Sequence, residues 1–239
     1  MKKTYLIILF FIPFLLSAQD KAQSIIAKSI KAHGGKAYEK CSIALDFRQF
    51  HLILTHNKGV FQYERTMTDS LKVVWRDVKN NAGYHREKNG VTLELTEKDR
   101  LRYEEGIISQ SYFILLPYKL QDKAVQLKYI GEGEVEGKKE YKIEVSFQKE
   151  GGGRDHEDVF CYWINQKTYL IDYIAYANGG PRFRKATTRH KAGNIIVQDY
   201  ENYEIKDKTI PTSAYDRVYR EGGAKLLSKI EHTNVRKLN

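Results

Sequence analysis

The chain has 239 residues, 41% of them hydrophobic and 29% charged, with a formal net charge of +10 at neutral pH. That length suits one domain of the β-barrel or sandwich size class and is ample to bury a core without disulfide staples. Basic residues are interleaved with acidic ones in nearly every segment, as in KKEYKIEVSFQKE, which argues against a nucleic-acid binder with its cations gathered on one stripe.

The first eighteen residues have the layout of a secretory signal peptide: Lys2 and Lys3, then an apolar run from Tyr5 to Leu16, then Ser17-Ala18. The run is shorter than the roughly 20 residues a membrane-spanning helix needs. Pro13 also suits a segment that is removed rather than one that anchors. The residue after Ala18 is Gln19, where a lipoprotein would carry Cys. The expectation is cleavage near Ala18 and a single exported domain over 19–239, periplasmic or secreted and not a lipoprotein; the alternative is an uncleaved N-terminal anchor. Without Lys2 and Lys3 the formal charge falls from +10 to +8. Solubility accounts for such a charge, which also admits transient contact with a membrane surface.

Residues 20–33 read as a helix, with Asp20 at its cap, Ile25, Ile26 and Ile30 on one face, and Gly34-Gly35 as its stop. The apolar period then becomes two. Ile43, Leu45 and Phe47 alternate with Ala44, Asp46 and Arg48; Phe61, Tyr63 and Met67 with Gln62, Glu64 and Thr66; and Leu71, Val73 and Trp75 oppose Lys72 and Arg76. These are antiparallel strands with one dry and one wet face. A second helix is expected over 96–116, capped by Thr96 and stopped at Pro117, with Leu101, Ile108, Tyr112 and Leu115 as its stripe and a greasy C-terminal half that covers something. Period two returns in 125–135 and in Tyr141, Ile143, Val145 and Phe147. Further strands are predicted at 158–165, 169–177, 181–189, 194–205 and near 225–236, with a short amphipathic stretch at 212–220. About ten strands with an N-terminal helix and a mid-chain lid helix make an α+β chain built on a strongly curved antiparallel sheet, an incomplete β-barrel.

Cys41 and Cys161 resemble neither a redox pair nor a zinc knuckle, and sequence leaves open whether they are free thiols or a disulfide. The sharpest local feature is EGGGRDHEDVF, where Asp155, His156, Glu157 and Asp158 form a polar loop after three glycines. Carboxylates beside an imidazole suit a divalent ion or acid–base work. In an extended run only alternate members share a face, so a turn stabilised by its own polar groups explains the loop as well. No HExxH, GxSxG or P-loop accompanies it. No metal site, cofactor or catalytic residue is assigned.

The helix–HGGKAYEK–strand opening, YFILLPYKLQD, YIGEGEVEGKKEYKIEV and EGGGRDHEDVFCYWINQKTYLIDYIAY resemble an uncharacterised family of exported bacterial proteins over most of residues 24–235. That family is similar in fold to the lipoprotein-carrier group typified by LolA and LolB. The resemblance implies a half-barrel with an apolar hollow under a helical lid. It also implies a binding or carrier role for a lipid, a lipoprotein acyl chain or another amphipathic small molecule, with no catalytic residues. Phe47, Tyr63, Trp75, Tyr112, Phe113 and Leu116 are the candidate cavity lining on one side, and Ile143, Val145, Val159 and Trp163 on the far wall. An envelope interaction or sensing module with a filled core is the alternative, and a hydrolase using Asp155 to Asp158 a further one. Identity of the cargo and oligomeric state are not legible.

Overall fold

A computed structural model describes residues 12–152 and 156–239, with side chains described from Gln19 onward. The expected signal segment lies largely outside the described residues. Among the described residues there are three α-helices: α1 (Ile12–His33), α2 (Glu97–Ile114) and α3 (Tyr215–Arg220). The N-terminal half supplies β1 (Lys40–Phe47), β2 (Phe50–Asn57), β3 (Val60–Thr68), β4 (Val74–Asn80), β5 (Gly83–Lys88) and β6 (Val91–Thr92). Then follow β7 (Val125–Val135), β8 (Lys138–Phe147), β9 (Phe160–Asn165), β10 (Ile171–Tyr176), β11 (Arg182–Ala192), β12 (Ile195–Ile205), β13 (Ala224–Ile230) and β14 (His232–Lys237).

The strands form two seven-stranded antiparallel sheets, β14-β1-β2-β3-β4-β5-β6 and β13-β12-β11-β10-β9-β8-β7, neither closed into a barrel. The class is the expected one, α+β with curved antiparallel sheet, and the strand number is larger than ten. The alternation argument passed over β2, β5 and β6. It began β4 too early, since Leu71 stands 82% exposed in the preceding turn. The terminal strand near 225–236 is two strands, β13 and β14, on different sheets. Asp20 sits inside α1 rather than at its cap. Both cysteines are thiols.

Packing groups the chain into two compact units. The first comprises the described part of Met1–Ser29 with Gln121–Phe183 and Tyr203–Lys225; the second comprises Ile30–Leu120, Arg184–Asn202 and Leu226–Asn239.

In the second unit, β1 and β2 present Ile43 opposite Leu54 and Leu45 opposite Leu52, all fully buried or nearly so. Tyr38, Ile107, Leu115 and Val197 join the same core. Burying each such side chain contributes about 1.5–3 kcal/mol. Across β3, β4 and β5 the same face changes character: Arg65 stands opposite Asp77, and Asp77 opposite Arg86. Arg65 donates from Nε and Nη2 to Asp77 Oδ2 at 2.9 and 2.6 Å, while Arg86 Nη1 and the Tyr84 hydroxyl donate to Oδ1 at 2.9 and 2.7 Å.

Helix α2 lies over this patch. Thr96 caps it as expected, its hydroxyl oxygen accepting from the Asp99 backbone N–H at 3.2 Å. Arg65 donates to Gln110 Oε1 and to the Tyr103 carbonyl, and the Arg86 guanidinium sits 3.8 Å from the Tyr103 ring centroid. A Cβ on Gly106 would come within 2.9 Å of Arg65 Nη1, so glycine lets the helix backbone approach the guanidinium. The expected greasy C-terminal half of the helix does cover core, and the wall beneath its other half is ionic rather than apolar. Only the C-terminal part of α2, through Ile107 and Ile114, meets apolar core; the rest covers ions.

The first unit packs β9 on both faces. Cys161 and Trp163 share a face with Tyr173, Phe183 and Tyr215; Tyr173 stacks on Phe183 at 5.1 Å and Trp163 meets it edge-on at 5.2 Å. On the other face Ile143 stands opposite Tyr162 and Val145 opposite Phe160. Lys21 of α1 places its ammonium 3.8 Å over the ring of Tyr129, the partner of Ile143. One buried acid pair stands out here. Glu140 is fully buried, and Asn165 Nδ2 donates both to its Oε1 at 3.3 Å and to Asp172 Oδ2 at 3.1 Å. Burial, with the nearby Asp172 charge second, pushes the Glu140 carboxyl up to about 9.

Asp77→Asn leaves two buried guanidiniums without their counter-charge and is expected to lower unfolding free energy in urea by about 3–5 kcal/mol, the usual cost of breaking a buried ion pair; a loss below about 1 kcal/mol would show that the patch is not structural. Glu140 binds its proton more tightly folded than unfolded, so its contribution to stability declines as pH rises from its unfolded value of 4.5 toward 9. Glu140→Gln is expected to remove that decline, raising Tm at pH 8 and changing it little near pH 4. Parallel wild-type and variant curves across this range would contradict the assignment.

Candidate functional site

A cleft of about 250 Å³ lies within the second unit, where the end of β1, the last turns of α2 and strands β11 to β14 converge. Its apolar lining is Phe47, Phe113, Ile114 and Ile230, and its cations are Arg48 and Arg184. Ser109, Gln110, Tyr200, Asn202, Ser228 and His232 complete it with uncharged polar groups or imidazole.

Each wall has a local cause. Phe47 ends β1 opposite His232, the first residue of β14, and their rings stand 5.4 Å apart. Arg48 follows in the β1–β2 turn at φ 54°, exposed at the mouth. Phe113 and Ile114 come from the end of α2, which the Arg65–Asp77–Arg86 patch seats. Arg184 on β11 lies 4.4 Å over the Phe113 ring, a cation–π contact that holds a half-buried guanidinium against an apolar wall. Asn202 Nδ2 donates to Ser228 Oγ at 3.3 Å, tying β12 to β13. Tyr200 receives a hydrogen bond from Gln198 Nε2 at 3.0 Å, and burial holds its phenol above the usual tyrosine range.

Beneath the cleft, Asp199 bridges two histidines. Its Oδ2 lies 2.8 Å from His190 Nε2, and its Oδ1 lies 3.1 Å from His232 Nδ1 and accepts the His232 backbone N–H at 2.9 Å. Burial lowers the His232 pKa, with Asp199 opposing. The arrangement fixes the start of β14, and hence the Phe47 end of β1, to β12. Sequence reasoning missed Asp199, Arg184 and His190. Each is one of several polar residues in its strand, with nothing local to single it out, and its pairing depends on which strands become neighbours. A second, more open hollow of about 420 Å³ flanks Cys41, His56 and Lys237 beside the chain end, without comparable aromatic lining.

Of the predicted cavity residues, Phe47 and Phe113 line the cleft. Tyr63 is buried against His56, whose Nε2 meets its hydroxyl at 2.9 Å. Trp75 donates from Nε1 to Asp69 Oδ2 at 3.0 Å. Leu116 is buried and Tyr112 half-buried, outside the cleft lining. Ile143, Val145, Val159 and Trp163 belong to the first unit. They do not form one wall: Ile143 and Val145 lie on the opposite face of the sheet from Trp163, and Val159 is 40% exposed ahead of β9.

In the polar loop, Asp155 lies outside the described residues. His156 and Asp158 are half-buried and Glu157 exposed, in the turn before β9. A Cβ on Gly152 would collide with the Gln148 carbonyl oxygen and come within 2.9 Å of His156 Cβ, so tight chain reversal accounts for that glycine. Among the described residues no group of three or more His, Cys, Asp or Glu is placed to hold a metal ion.

Comparison with known proteins adds the fold. A LolA superfamily protein from Nitrosomonas europaea superposes at a TM-score of 0.54 with 11% identity, over 91% of this chain and 93% of that one. A DUF1329 family protein from Desulfovibrio piger and a putative outer membrane lipoprotein-sorting protein domain from Vibrio parahaemolyticus each give 0.48. Their identities are 9% and 8%, over 90% and 92% of this chain and 92% and 94% of theirs. No curated protein matches the chain in sequence. Residues 2–232 match the profile of the family of unknown function DUF6503, and the chain belongs to that family, carried on a LolA-like fold.

Proposed function

We propose that the protein is an exported binding or carrier protein for an anionic amphiphile, whose head group and first methylenes occupy the cleft of the second unit. The observation that carries this reading is the guanidinium of Arg184 lying over the Phe113 ring inside a cleft that also holds Phe47, Ile114 and Ile230. Such a surface offers charge-assisted hydrogen bonds to a carboxylate or phosphate and apolar contact to the chain behind it. Arg48 at the mouth adds a second cation on the path of entry. The signal-like start of the chain supports export, and the LolA-like fold supports a carrier of amphipathic cargo by analogy.

The dimensions bound the affinity. At about 250 Å³ the cleft falls below the usual range of about 300–1,000 Å³ for sites that enclose a drug-sized ligand. It would hold part of an amphiphile rather than a whole lipid. A few methylenes at about 0.8 kcal/mol each, with one charge-assisted hydrogen bond at about 1.5–3 kcal/mol, support modest and reversible binding. Reversibility is what a carrier requires.

A second reading, an interaction or sensing module, is favoured by the filled cores. Ile143, Val145 and Trp163 are fully buried among side chains, and Tyr63 and Leu116 are nearly so.

Titration with a dansyl-labelled fatty acid, competed by dodecanoate or dodecanol, separates the two. Binding is expected, with dodecanoate the better competitor. Arg184→Gln should weaken dodecanoate by about tenfold or more and leave dodecanol unchanged, consistent with loss of a charge-assisted bond. Phe113→Ala should weaken both. Absence of uptake of either ligand at millimolar concentration would overturn the carrier reading and leave the interaction module.

A further inference from the structure

We propose that the β1–β2, β3–β4 and β5–β6 turns together form a docking edge for an anionic lipid surface. The inference stands apart from the cleft reading, because it rests on different residues and on a surface rather than a pocket.

Strand register brings the three turns to one edge of the first sheet. Phe47 pairs with Phe50, His51 with Thr66, Thr68 with Val74, and Trp75 with Lys88, so residues 48–49, 69–73 and 89–90 all reverse the chain on the same side. That edge carries three aliphatic side chains in water: Leu71 is 82% exposed, Val91 67% and Val74 39%. Single exposed aliphatics are ordinary, but three on adjacent turn tips form a patch that marks an interaction site. Around them stand the exposed cations Arg48, Lys72 and Lys88. Asp69, the acidic residue of these turns, has both carboxylate oxygens hydrogen-bonded within its own hairpin. Its carboxylate accepts from the Leu71 and Val73 backbone N–H groups at 2.9 and 3.0 Å and from Trp75 Nε1 at 3.0 Å.

The tips are braced. Lys72 holds φ 64° and Asn89 φ 50°, conformations that cost a side-chain-bearing residue free energy. Asn89 locks the two outer turns together, its Oδ1 accepting from Val74 N–H at 2.9 Å and its own N–H donating to the Val74 carbonyl at 2.8 Å. Leucine is thus presented to solvent on a fixed loop with cations at its flanks, and the carboxylate of its own turn is engaged by that turn. Aliphatic tips ringed by Lys and Arg complement a bilayer with anionic head groups, the tips entering the head-group boundary and the cations remaining at the phosphates. Phe47 and Arg48, at the cleft mouth, lie at the same edge, so docking would bring the cleft to the lipid surface.

Flotation of the full protein with phosphatidylcholine vesicles, with and without about a third phosphatidylglycerol, tests this. Expected are binding to the anionic vesicles that fades as salt is raised and weak binding to the neutral ones. Leu71→Ser should reduce partition by about tenfold, and Lys72→Gln or Lys88→Gln by roughly fivefold each. Val60→Ser removes a 62% exposed aliphatic from the β2–β3 turn at the opposite edge and should change nothing. Equal binding to both vesicle types, wild-type partition for Leu71→Ser, or an equal loss for Val60→Ser would each overturn the proposal. So would a tip that binds no vesicles, which would leave a protein partner as its occupant. Each variant's uptake of dansyl fatty acid in solution, without vesicles, is read alongside, so that failure of the docking edge and failure of the cleft are told apart.

Discussion

The carboxylate of Asp77, held between the guanidiniums of Arg65 and Arg86, is the interaction on which the second unit turns. It lets three β-strands carry charge on a face that is covered, and it decides where α2 rests. Two buried guanidiniums sharing one carboxylate would be costly alone. Here the excess charge is met by Gln110 and the Tyr103 carbonyl, which accept from Arg65, and by two aromatic faces, Trp75 and Tyr103, against the planar Arg86. The absence of a side chain at Gly106 allows the helix close enough for these contacts to form.

The consequence reaches the cleft. Once the middle of α2 is pinned over the ion patch, its last turn must project Phe113 and Ile114 beside Phe47, and Arg184 can lie over Phe113. Asp199 performs the matching task on the other wall by clamping His232 to β12. The cleft is thus built from two polar anchors outside it, one under the helix and one beneath β14, with an apolar lining between. This differs from a hollow that is greasy throughout. It suits cargo with a charged head better than cargo recognised by hydrocarbon alone.

The first unit follows another logic. Its β9 strand is covered on both faces, so the core there is solid, aromatic and closed, with Trp163, Tyr173, Phe183 and Tyr215 interlocked. A neutral Glu140 is tolerated in this unit because Asn165 bridges it to Asp172 and because protonation removes the charge that burial would otherwise penalise.

What was legible in the sequence was local. Alternation such as Tyr141, Ile143, Val145 and Phe147 identifies a strand because successive side chains leave a pleated backbone on opposite sides. Thr96 with Asp99 marks a helix start because the orphan N–H groups there need an oxygen. Those rules yielded the α+β class, the position of α2 and the apolar character of Phe47 and Phe113. They fell silent at β5, where the strand is carried by His, Arg, Glu and Lys rather than by hydrophobes because one face is satisfied by ions, and at β6, whose two residues are too few to show a period. They also grouped Trp163 with Ile143 and Val145, whose opposite orientation follows only from cross-strand register. The tertiary structure alone decided that Arg65, Asp77 and Arg86 meet, that Asp199 reaches His232, and that Arg184 covers Phe113. The first depends on the register of successive hairpins, and the other two join elements far apart in the chain; no local periodicity encodes either.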